Sequence, residues 1–166
     1  MQLNYYTSKF KKRQFPITLI CDHVTNAPNI GSLFRVADAF GIEQVIFCGE
    51  HIPLGRRMTK TSRATENYVN FEVSPSALEV VQSLKEKKYQ IIALEITTKS
   101  QSIHDFQLSS KQPLALIIGD ENYGVSNELL ELCNSIVHIN MYGNNSSMNV
   151  VQATSIALYE FTKQLL

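Results

Sequence analysis

Apolar residues along this chain fall into two alternating patterns, short unbroken runs and longer stretches with the spacing of one helix face. The runs "ITLICD" (17–22), "QVIFCG" (44–49), "YQIIALEI" (89–96), "LALIIGD" (114–120) and "SIVHINM" (135–141) predict buried strands, with a shorter one at "YVNFEV" (68–73). Amphipathic stretches fill the intervals, and that alternation predicts an α/β fold with a mainly parallel sheet. Helices are predicted to begin near Asn29, Ser74, Ser126 and Ser147, with Pro75 at the first helical position of its helix and Gly41 closing the first one. The last helix carries Val150, Thr154, Ala157, Leu158, Phe161 and Leu165 on one stripe. Ala153 and Ser155 keep its other faces slim, so it packs on more than one side, in the core of its own chain or against a second subunit.

With 166 residues, 44% of them apolar and 18% charged, one globular domain over 1–166 is expected, opened by a basic segment at 1–15. Residues 132–159 contain no Asp, Glu, Lys or Arg, yet Asn140, Asn144, Asn145, Asn149 and Gln152 interrupt them too often for a membrane span. The N-terminal "MQLNYYTSKFKKRQF" lacks the apolar core of a secretory signal, and a cytoplasmic location is the expectation. Cys21, Cys48 and Cys133 are widely spaced and form no C-x-x-C, and the four histidines show no i, i+4 pair. Neither a disulfide framework nor a metal site is indicated.

The net charge of zero conceals a gradient. Residues 1–63 hold nine basic side chains against four acidic ones, and all five arginines lie there. Two clusters stand out: "KFKKR", with Lys11, Lys12 and Arg13, and "RRMTKTSR", with Arg56, Arg57, Lys60 and Arg63. Both suit a polyanion such as RNA, and both also suit solvated loops. Arg35, inside the first predicted helix, has two readings as well. It pairs with Asp38 on the surface, which contributes only about 0.2–0.5 kcal/mol, or it faces a substrate.

No G-x-G-x-x-G and no Walker A loop occurs, which leaves a dinucleotide or P-loop site unsupported. The unusual stretches follow strands, where ligands gather in open α/β sheets. In order and spacing, "NIGSLFR" (29–35), "IIGDENYGVS" (117–126) and "INMYGNNSSMNVVQATSIALYE" (139–160) resemble the three motifs of the SpoU (TrmH-like) branch of the SPOUT RNA methyltransferases. The resemblance covers residues 17–166 and implies an α/β knot, a mainly parallel sheet whose C-terminal segment forms a deep trefoil knot, an exception to the rule against threading. It further implies a homodimer and S-adenosylmethionine as cofactor, with Leu94, Gly119, Ile139, Met141 and Met148 around it. The reaction implied is methyl transfer to a ribose 2′-hydroxyl of RNA. Arg35 is carried over as the residue acting on that ribose, as base or as stabiliser of the developing alkoxide, and Asn29, Glu121, Ser147 and Asn149 as its supports. Met148 stands where leucine is usual, and Asp120 where a smaller residue is common.

The segment "RRMTKTSRATENYV" (56–69) is similar to the branch that acts on guanosine in tRNA, so tRNA is the expected substrate and rRNA the alternative. Two other classes stand beside this reading. An inactive RNA-binding protein of the same fold has no chemical reason to keep Asn29, Arg35, Glu121, Ser147 and Asn149 together. A flavodoxin-like small-molecule domain lacks its phosphate loop here.

Overall fold

In the computed structural model, which describes residues 10–109 and 112–166, the strands are β1 (Phe15–Asp22), β2 (Ile42–Cys48), β3 (Phe71–Ser74), β4 (Gln90–Leu94), β5 (Gln101–Ser102), β6 (Leu114–Ile118) and β7 (Ser135–His138), all but the short polar β5 arising from the apolar runs. They form one sheet in the order β3-β2-β1-β6-β4-β7-β5, with every strand pair parallel. Residues 1–9 of the expected basic segment, Lys9 among them, lie outside the described residues.

Parallel strands need crossovers, and the helices supply them on both faces. Helices α1 (Ala27–Phe40), α2 (Arg56–Ser62) and α5 (Val150–Gln164) contribute to one apolar cluster, α3 (Ala77–Glu86) and α4 (Asn127–Leu132) to the other. On the first face Phe34 meets Phe47 and Phe71 with ring centroids 5.2 and 5.0 Å apart, and Phe106 meets Phe161 at 6.1 Å. The stripe predicted on the last helix is turned inward: Thr154, Ala157, Leu158 and Phe161 are fully buried in this chain's own core. Burying a side chain the size of Leu158 or Phe161 contributes about 1.5–3 kcal/mol. The opposite face leaves Ile156 and Tyr159 exposed.

The helix starts differ from expectation in informative ways. Asn26, not Asn29, caps α1, its side chain accepting the Asn29 N–H at 3.1 Å, and Pro28 sits in the first turn. Asn29 therefore has its own side chain free for other use. Gly41 closes the helix in the left-handed conformation, as the sequence predicts. Ser76 rather than Ser74 caps α3, so Pro75 precedes the cap instead of opening the helix. Asn149 rather than Ser147 caps α5.

Helix α2 and strand β5 have no counterpart among the predicted elements. The basic "RRMTKTSR" is a helix anchored by buried Met58 and Ser62, and Thr61 Oγ1 donates to the Pro28 carbonyl at 3.0 Å. Gly31 permits this approach, since a Cβ there would collide with Thr61 Oγ1 and the Met58 carbonyl.

Strand order reverses between β1 and β6: the chain runs outward from β1 through β2 to β3, then crosses to the other side of β1 for β4, β5, β6 and β7. In open α/β sheets that reversal is where a crevice opens at the carboxyl ends of the strands. The loops after β1 and β6 lead into it.

Candidate active site

Three segments converge at this crevice. The first turn of α1 presents Asn29, the loop after β6 (119–126) presents Glu121, and the segment after β7 (139–149) presents Asn149. Glu121 Oε1 accepts from Asn29 Nδ2 at 2.9 Å and from Asn149 Nδ2 at 2.8 Å, and Asn149 Nδ2 also approaches Asn29 Oδ1 at 3.2 Å. Asn149 Oδ1 is already engaged, accepting the Val151 N–H at 2.9 Å as the α5 cap. The cap fixes which way the amide faces, so its nitrogen is aimed at the carboxylate.

The loop bearing Glu121 is tightly wound. Asp120 Oδ1 accepts the Asn122 and Tyr123 N–H groups at 2.8 and 3.2 Å, and Asp120 and Gly124 form an antiparallel bridge. Gly124 has φ +66, and a Cβ on Gly119 would collide with the Gly124 backbone, so the turn depends on both glycines.

Beside this cluster lies a cavity of about 920 Å³. Leu94, Gly119, Ile139, Met141 and Met148, the residues expected around a cofactor, all line it, together with Glu121, Ser147 and Asn149. Three of the predicted strands end early here. β4 stops at Leu94, β6 at Ile118 and β7 at His138, and the apolar Ile96, Ile139 and Met141 beyond those ends line the cavity instead of extending the sheet. Its described lining holds the carboxylates of Glu95, Asp120 and Glu121 and no lysine or arginine. Such a wall favours a ligand with apolar surface and positive charge.

Arg35 and Ser147 stand apart from the hydrogen-bonded cluster. Arg35 is exposed on α1, six residues or about 9 Å along the helix axis from Asn29. Among the described residues neither it nor Asp38 takes part in an ion pair. The surface-pair reading of Arg35 is thus not realised. Ser147 is an exposed part of the cavity wall.

The basic residues divide by location. Arg56, Arg57 and Lys60 are exposed on α2, docked against the first turn of α1 beside Asn29, and Arg63 closes that helix. Lys11 and Lys12 are exposed, while Arg13 stacks on Phe15 at 4.8 Å and donates to the Leu165 carbonyl at 2.8 Å. Arg13 therefore has a structural use besides any ligand. Sequence reasoning passed over Glu95 and Asp22, whose carboxylates accept the N–H groups of Val125 and Ser126. Nothing in the local pattern marks them, because each follows an apolar run like an ordinary strand-end polar residue.

The three thiols are not part of the site's chemistry. Burial pushes Cys21 well above the usual range, and it pushes Cys48, further raised by Asp22, and Cys133 to about 12.

The chain as a whole is similar to known proteins. The SpoU rRNA Methylase family matches residues 16–159. The tRNA (guanosine(18)-2'-O)-methyltransferase of Aquifex aeolicus is 27% identical over 154 residues, 93% of this chain and 72% of that protein. The 23S rRNA (guanosine-2'-O-)-methyltransferase RlmB of Shewanella oneidensis is 33% identical over 155 residues, 92% of this chain but 61% of that protein. Among solved structures, the SpoU methyltransferase AviRb from Streptomyces viridochromogenes in complex with the cofactor AdoMet superposes with a TM-score of 0.79 at 26% identity, covering 97% of this chain and 64% of that one.

Proposed function

The chain belongs to the SpoU rRNA methylase family, and on that premise we propose that it is an S-adenosylmethionine-dependent methyltransferase acting on a ribose 2′-hydroxyl of RNA, with tRNA as substrate. The observation that carries this reading is the Asn29–Glu121–Asn149 cluster on the lip of a cavity lined by all five expected cofactor residues. The cavity fits the cofactor chemically: Leu94, Ile139, Met141 and Met148 offer an apolar wall for an adenosine, and the carboxylates suit a cation. When bound, S-adenosylmethionine supplies an electrophilic methyl on a positively charged sulfur.

The chain's own contribution is positioning and electrostatics. Asn29 and Asn149 hold Glu121 by one oxygen, which leaves the carboxylate oriented to hold the incoming ribose. Arg35 acts by stabilising the developing alkoxide and gripping the adjacent phosphate. Ser147 contacts the substrate from the cavity rim. Arg56, Arg57, Lys60 and Arg63 on and beside α2, with Lys11, Lys12 and Arg13, bind the RNA backbone. The reaction as proposed uses no metal.

Four further assignments accompany the reading. The enzyme is one domain, works in the cytoplasm and is a homodimer, for which the exposed Ile156 and Tyr159 on α5 offer an apolar contact face. Its C-terminal segment is knotted. In support, α4 and α5 serve opposite faces of the sheet, and the stretch 103–108 lies on α5 through Phe106 and two hydrogen bonds to Gln164 at 2.8 and 2.9 Å.

The test is nucleoside mass spectrometry of tRNA and rRNA from a strain lacking the gene. Loss of one 2′-O-methylnucleoside from tRNA is expected. Loss from rRNA alone would move the substrate to the alternative, and no loss from either would refute the activity.

A further inference from the structure

The loop that carries Glu121 is pinned by two carboxylates, one at the end of β1 and one just past β4. Glu95 Oε2 accepts the Val125 N–H at 2.9 Å, and Asp22 Oδ2 accepts the Ser126 N–H at 3.2 Å. Asp22 is buried at the end of β1 and is not among the residues that line the cavity. Glu95 is placed differently. It directly follows Leu94, lines the cavity, and its other oxygen accepts the Ile96 N–H at 2.9 Å. One side chain thereby ties the wall at 94–96 to the loop at 119–126. The fit is close, since a Cβ on Gly124 would collide with Glu95 Oε2.

We propose that Glu95 is a positioning residue for methyl transfer, coupling occupancy of the cofactor cavity to the placement of Glu121. The proposal rests on reading that cavity as the S-adenosylmethionine site. A ligand against the wall at 94–96 excludes water from Glu95, and a hydrogen bond to a desolvated carboxylate is stronger than the same bond in water. The Val125 N–H bond tightens, and the turn from Asp120 to Gly124, which has no slack, brings Glu121 with it. The coupling works in both directions: ordering the Glu121 loop on RNA raises cofactor affinity by the same factor.

The experiment compares wild type with Glu95→Gln and Glu95→Ala, using S-adenosylhomocysteine as probe. Amide hydrogen exchange at Gly124–Ser126 is followed with and without the probe, its affinity is measured by calorimetry, and the single-turnover rate is taken at saturating cofactor and RNA. In wild type the probe is expected to slow exchange at Val125 by about tenfold or more. In Glu95→Ala that protection is lost and the saturated rate falls by roughly tenfold, with Glu95→Gln, which keeps one acceptor oxygen, between the two. RNA affinity measured without cofactor stays at the wild-type value. A merely structural clip would lower the melting temperature and leave the saturated rate and the probe-induced protection intact, and that result overturns the proposal. Should Glu95→Ala fail to fold, Glu95→Gln alone decides by the same readouts. A wild-type chain that does not bind the probe refutes the cofactor reading itself, whereas binding without protection at Val125 refutes only the coupling.

Discussion

Asn149 serves two structures with one amide, and the roles separate by mutation. Its oxygen caps α5 and its nitrogen holds Glu121. Asn149→Ser keeps a capping hydroxyl and removes the donor, so it should unfold in urea within about 0.5 kcal/mol of wild type while its saturated methylation rate falls at least tenfold. Asn149→Ala should lose about 1 kcal/mol of stability as well. A serine variant that turns over normally would remove Glu121 orientation from the mechanism. Arg35 is the sharper case. It is exposed and among the described residues takes part in no ion pair, so Arg35→Ala should leave the urea midpoint unchanged and lower the single-turnover rate by roughly a hundredfold. Arg35→Lys, which keeps the charge without the planar fork, should restore RNA affinity better than rate. At this scale the sequence was most legible where residues resemble known motifs: Asn29, Glu121 and Asn149 meet although they lie up to 120 positions apart. It was least legible for Glu95 and Asp22, whose use depends on which backbone N–H the fold brings to them.

Helix α2 shows what pattern reading misses at the level of elements. It has seven residues, too few to repeat an apolar stripe, and only Met58 and Ser62 are buried. Periodicity has nothing to detect, although the charge it carries is plain in the sequence. The strands were legible at their centres and overextended at their carboxyl ends, because Ile96, Ile139 and Met141 are apolar for the sake of a cavity. Apolar character alone does not distinguish a buried strand from the wall of a cavity. Neutralising Arg56 and Arg57 together should weaken RNA binding and reduce the slope of log K against log salt by about one to two, leaving the saturated rate as it was. An unchanged slope would take α2 out of the RNA contact. On α5, two substitutions separate core from interface. Ala157→Arg drives a charge into this chain's own core and should prevent folding, whereas Ile156→Arg on the exposed face should give folded monomer by sedimentation. A dimeric Ile156→Arg would place the contact elsewhere.

At the level of the molecule, the thiols give a pH dependence with a definite sign. Folding holds Cys48 and Cys133 at about 12, above the usual thiol range, and raises Cys21 too. The folded chain therefore keeps protons that the unfolded chain releases, and the stability this contributes is complete below about pH 8.5 and lost progressively as pH rises toward 12. Urea midpoints should fall between pH 8 and pH 10, and Cys133→Ala should fall less steeply than wild type. Equal slopes would exclude Cys133 from the effect.

The convergence of three loops at one crevice also has a consequence in time. A ribosome delivers the chain from its N-terminus, and β1 with Asn29 emerges long before Asn149. All seven described strands are present once His138 has been made, yet Glu121 still lacks one of its two donors, and the cavity lacks Met141, Ser147 and Met148. A nascent chain with its whole sheet already translated is therefore unable to hold the site together, even while surrounded by ribosomal and transfer RNA. The ability to modify RNA begins only when α5 has left the tunnel and its first turn has closed over the carboxylate.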